Sequence, residues 1–68
     1  MKTHEHTLVA TTKDRAMVLI RTHFVSFRKK HNVTDWMWIT KPEAKKYAGK
    51  SKKLMGLWQA YARISYER

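Results

Sequence analysis

The 68-residue sequence has no cysteine, one proline, two glycines and only five carboxylates. Each shortage excludes something. Without cysteine there are no disulfide staples and no thiolate metal sites, which favours a reducing compartment. No apolar run approaches the roughly eighteen residues of a membrane span, and the polar start MKTHEHT has no signal-peptide core. The expectation is a protein of the bacterial cytoplasm with no membrane contact. Catalytic motifs are missing too: no nucleophile pattern, no phosphate-binding glycine loop and no HExxH. The few carboxylates offer no acid–base pair, and His23 reads as a half-buried polar residue, so no enzyme and no cofactor is expected. His4 and His6 are spaced i, i+2 with no third ligand nearby in sequence, too little for a metal site.

Positive charge is what the chain has in excess. Fifteen Lys+Arg against five Asp+Glu give a formal net charge of +10 and a pI near 10.3. Self-repulsion of that size destabilises a small compact chain, so a polyanionic partner that relieves it is expected. Nucleic acid comes first, double-stranded DNA before single strands, and an acidic protein surface is the competitor. Residues 1–68 suffice for a single domain. A chain this short buries only about 60% of its unfolded surface, so a ligand or a second copy would help it.

Residues 1–11 read as a flexible arm, with Thr7 to Thr11 alternatively a short edge strand. Thr11 with Asp14, or Thr12 alone, can cap a long helix over 12–31, whose apolar stripe is Met17, Ile20, Phe24 and Phe27, with Ala16 and Val25 widening it; the β-branched and aromatic content of Met17 to Phe27 keeps a strand as the second choice. Arg15 and Arg21 lie off that stripe. Arg28, Lys29 and Lys30 crowd its last turn, where they suit the helix dipole and are equally candidate phosphate contacts. Asn32 is a plausible left-handed stop. Residues 33–39 read either as a short strand or as one helical turn. Trp36 and Trp38 would then point to different sides, and one of them at the surface would mark a protein contact or a stacking platform.

The segment from Thr40 to Trp58 reads as helix, turn and helix. Thr40 and Glu43 have capping-box spacing, Pro42 fits a first helical turn, and Ala44, Tyr47 and Ala48 fall on one face. Gly49 can end a helix and Ser51 can cap the next, followed by Leu54, Leu57, Trp58 and Tyr61 at helical spacing. Thr40, Glu43-Ala44, Tyr47-Ala48-Gly49, Ser51-Lys52, Met55 and Trp58 together resemble the DNA-binding helix-turn-helix of the MerR-type and phage excisionase-like families. Lys50 stands where those families bury an aliphatic residue, and only ten residues follow Trp58, fewer than their β-wing needs.

The expected fold is therefore mainly α: a small three-helix domain with helix-turn-helix segments at 40–49 and 51–65, and a short N-terminal strand or arm. The resemblance implies a phage- or plasmid-type transcriptional regulator or architectural factor, reading DNA with the helix that starts at Ser51. Lys41, Lys45, Lys46 and Lys50 would meet the backbone. Ser51, Lys52, Lys53, Gly56, Gln59 and Arg63 would lie along the groove-facing helix, with Lys52 or Lys53 reaching guanine or a phosphate and Gln59 reading adenine. Gly56 in mid-helix would permit close approach by DNA or by a neighbouring helix. The alternative is an interaction protein that inhibits a host protein through its basic surface and an exposed Trp36 or Trp38. A leftover apolar stripe would offer a homodimer contact.

Overall fold

A computed structural model describes residues 1–67. The chain runs β1 (Lys2–Ala10), α1 (Lys13–Lys30), β2 (Asp35–Lys46), a single 3-10 turn (Lys52–Leu54) and β3 (Trp58–Glu67). The last strand is the middle one: the sheet order is β1-β3-β2, with β3 antiparallel to both neighbours. β1 and β2 are thus parallel to each other and joined through α1, a split β-α-β unit with β3 inserted. The helix covers one face of the sheet. The other face is open.

The helix forms as its sequence dictates. Thr12 Oγ1 accepts from the Arg15 N–H at 3.1 Å, Asp14 sits in the first turn, and Arg28, Lys29 and Lys30 sit in the last. At the other end Asn32 adopts φ 54°, the Val33 N–H reaches Arg28 O at 2.9 Å, and the Asn32 N–H reaches Lys29 O at 3.4 Å. That pairing is a Schellman stop with asparagine in the left-handed position.

The expected three-helix architecture is not what the rest of the chain forms. Residues 40–46 belong to β2 and residues 58–65 to β3, so neither half of a helix-turn-helix exists and the chain is not all-α. Pro42 serves an edge strand rather than a first helical turn; both positions tolerate its missing N–H. Thr40 and Glu43 lie opposite Arg63 and Tyr61 across the ladder instead of forming a capping box, and β2 slips register between Trp38 and Thr40 and again between Thr40 and Glu43. Residues 2–10 form a full strand, not a flexible arm.

Alternation in β3 explains the packing. Trp58, Ala60, Ala62, Ile64 and Tyr66 face α1, while Gln59, Tyr61, Arg63, Ser65 and Glu67 face away. Ala60, Ala62 and Ala16 are wholly buried, and their small side chains let the helix lie close to the central strand. Phe24, Ile20 and Ile64 are the largest fully buried side chains. Phe24 sets its ring edge-on to Trp38 at 5.3 Å and also meets His4 and His23.

Candidate polyanion-binding surface

The pleat divides the lysine-rich segment between two faces. Lys46 lies on the helix side, its Nζ 5.0 Å from the Trp58 ring centroid, where Lys13 approaches the same ring at 5.9 Å. Lys45 lies opposite Gln59 on the open face, beside a concavity of about 240 Å³ that Thr7, Glu43 and Tyr61 complete. Arg63 shares that face, opposite Glu5 on one neighbour and Thr40 on the other. Lys41 borders a larger cavity of about 430 Å³ between α1 and β2, lined also by Arg21, Val25, Arg28, Trp38 and Pro42.

Lys50, Ser51, Lys52 and Lys53 are exposed in the 47–57 connection between β2 and β3. The Tyr47 N–H closes that connection on Leu57 O at 2.9 Å. Ser51 precedes the 3-10 turn without donating or accepting a side-chain capping bond. Gly56 is not in a helix at all. Met55 (φ −63°, ψ 136°), Gly56 (φ 87°) and the Leu57 N–H to Leu54 O bond of 3.1 Å make a type II turn, whose third position requires positive φ. Gly49 lies under the Tyr47 phenol, where any β-carbon would collide with the ring.

In the groove between α1 and β2, Arg28 has two local anchors. Its guanidinium lies 3.9 Å from the centroid of the Trp36 ring, and its Nε donates to Phe24 O at 3.3 Å. Such a stack is worth roughly 0.5–2 kcal/mol and holds the cation in one place. Arg21 stands two turns earlier on the same flank. The α1 pair was readable from its i, i+7 spacing, but its meeting with Lys41 required the sheet. Trp36 and Trp38 both face the helix and are half-buried; Met37 and Ile39 are the exposed apolar residues of β2. The expectation that the two rings point to different sides is overturned: the strand's period of two puts residues i and i+2 on the same face.

Charge is sorted by face. Lys13, Arg15, Arg21, Arg28, Lys29 and Lys30 on α1 join Lys41 and Lys46 on the helix side, where Asp14 is the only carboxylate among the described residues. The open face holds Glu5, Asp35, Glu43 and Glu67 against Lys45 and Arg63. Among the described residues no Lys or Arg side chain lies within ion-pair distance of a carboxylate; the one ion pair joins the Met1 amino group to Glu67 at 3.5 Å.

His4, His6 and His23 do meet in space, at the β1 flank of α1. His6 stacks on His23 at 3.6 Å, and His4 stacks on Phe27 at 3.9 Å. Their positions suit packing, and among the described residues no group of three His, Asp or Glu is placed to hold a metal ion. No helix is long and apolar enough to cross a membrane. Compared with protein-family models, curated proteins and solved structures, the chain matches none.

Proposed function

We propose that this protein binds nucleic acid, duplex DNA first, through the helix side of its sheet and the 47–57 connection rather than through a recognition helix. The observation that carries the reading is the concentration of unpaired cations on one side, with four of the carboxylates on the other. Uncompensated like charge raises the potential over that side and costs stability until a polyanion neutralises it. Arg21, Arg28 and Lys41 around one cavity offer a phosphate seat, and Lys50, Lys52 and Lys53 extend the contact along the backbone. Backbone neutralisation gives affinity without base readout, so an architectural or non-specific role fits better than an operator-reading one.

Fluorescence anisotropy with a labelled duplex at several salt concentrations tests this. Each neutralised phosphate contributes about −0.9 to the slope of log K against log salt. Arg21→Glu with Lys41→Glu should weaken binding about tenfold or more and flatten the slope by about two. Salt-independent binding, or unchanged affinity in that variant, contradicts the reading.

A second reading has its own observation. Val18 and Val25 are exposed on the basic side of α1, 62% and 41% respectively. Apolar groups within a cationic rim suit an acidic protein partner, which this chain would occupy and inhibit. Val18→Ser would then abolish a nuclease-resistant complex while leaving DNA affinity unchanged.

A further inference from the structure

The two tryptophans of β2 face the helix, and their rings are used differently. Trp36 has a ring face taken, since the Arg28 guanidinium lies 3.9 Å from its centroid. Trp38 has no such cover. Phe24 and Trp36 meet it at 5.3 and 5.2 Å with ring planes turned by 74° and 89°. Among the described residues no ring lies parallel on Trp38 and no cation lies over it. The half-buried indole instead walls the cavity of about 430 Å³ between α1 and β2.

That cavity has two kinds of wall. Val25, Trp38 and Pro42 are apolar, Arg21, Arg28 and Lys41 are cationic, and among the described residues no carboxylate lines it. Arg21, Val25 and Arg28 follow one another on α1 at i, i+4 and i+7, so the apolar residue stands between the two arginines. Trp36 and the Nε bond to Phe24 O hold Arg28 in place, which leaves its terminal amino groups for another acceptor. A phosphate alone would use the cations and leave the apolar wall wet. The volume falls within the roughly 300–1,000 Å³ of small-molecule sites, room for a flat ring beside the phosphate.

We infer that this cavity takes one unpaired nucleotide, its base against Trp38, Val25 and Pro42 and its phosphate on Arg21, Arg28 and Lys41. The inference rests on the nucleic-acid reading above and narrows it. A base inside a duplex is stacked and paired, out of reach of a side pocket, so the nucleotide comes from a strand end, a gap or a single-stranded tail. Lys50, Lys52 and Lys53 are exposed and available to the adjoining duplex backbone. The protein therefore prefers DNA that joins paired to unpaired segments over uninterrupted duplex. Stacking on an indole is sequence-tolerant, because every base has a π-face.

Fluorescence anisotropy at one fixed salt concentration tests this with labelled DNA hairpins of a single stem: blunt, with a short tail of deoxyadenosines, and with an abasic tail of the same length. Tails are placed on the 3′ end in one set and on the 5′ end in another. The abasic tail adds the same phosphates without bases, and the protein is unaltered throughout, so folding does not enter the comparison. The expected result, in at least one set, is binding at least about fivefold tighter to the deoxyadenosine tail than to the abasic one. Trp38→Leu, checked for folding by circular dichroism, should bring that ratio close to one. Equal affinity for the two tails in both sets, or a ratio retained in folded Trp38→Leu, overturns the inference. If all the hairpins bind equally and with the salt dependence given above, the nucleotide seat is refuted and the nucleic-acid reading stands. Salt-independent binding, or none, removes both.

Discussion

His4 Nε2 and His23 Nε2 lie 2.9 Å apart, joining strand β1 to helix α1 through a single ring-to-ring hydrogen bond. One imidazole must donate and the other must accept, so the contact survives only while at least one ring is neutral. Burial pushes both histidines below their ordinary value, and the charges of neighbouring histidines add to the shift: His6 and His31 act on His4, and His6 and His4 act on His23, with Glu5 opposing at His4.

The pH dependence follows with a definite sign. A histidine held lower in the folded state than in the unfolded chain binds fewer protons when folded, so stability is present above about pH 6.5 and is lost as pH falls through and below that value. Thermal unfolding followed from pH 7.5 to 5 should show Tm falling by several degrees. His23→Gln, which keeps a donor and an acceptor but cannot ionise, should flatten that fall. A Tm that is level over this range in the parent would show that the ring contact has no energetic role.

Tyr61 on the open face provides a test at the other end of the scale. Its hydroxyl donates to Glu5 Oε2 at 2.7 Å, and this bond, ahead of burial and the carboxylate charge, holds the phenol above its ordinary value. Glu5→Gln removes the charge, so the Tyr61 phenolate should form at lower pH in that variant, read by NMR of its ring signals. An unshifted titration would mean that the two side chains do not hold this bond in solution.

Close helix approach depends on alanine. Ala62 is wholly buried beneath α1, and Ala62→Leu should cost about 1–3 kcal/mol by overpacking, measured by urea unfolding. Phe24→Ala, which empties the largest buried site, should cost about 3–5 kcal/mol. In a domain this small the second change should leave little folded protein. Full stability of either variant would place the core elsewhere.

Those alanines also explain where the sequence misleads. The α1 helix was legible from its apolar stripe and from Asn32, although the cap stood open between Thr11 and Thr12 and the β-branched and aromatic run from Met17 to Phe27 also suited a strand. β3 was not. Ala60 and Ala62 belong to a residue type favoured in helices, yet here they are small because a helix crosses them, and that requirement is set by tertiary contact. The alternation of Ala60, Ala62 and Ile64 with Gln59, Tyr61 and Arg63 was present in the sequence, but Leu54, Leu57, Trp58 and Tyr61 overlay it with helical spacing. Pro42 and Thr40–Glu43 fit a helix start as well as an edge strand with slipped register. As for the site, Arg28, Lys41 and the 50–53 lysines were visible as charge. Their division between faces, and the part of Arg21, depended on knowing that residues 35–46 alternate across a sheet.

The central claim is that a polyanion meets the helix side and not the open sheet face. NMR titration of the labelled protein with a short duplex tests it most directly. The account predicts shifts at Arg21, Val25, Arg28, the Trp38 indole, Lys41 and residues 50–53, with Thr3, Thr7, Tyr61 and Ser65 unmoved. Shifts centred on Tyr61, Arg63 and Ser65, or none on either side, would contradict it.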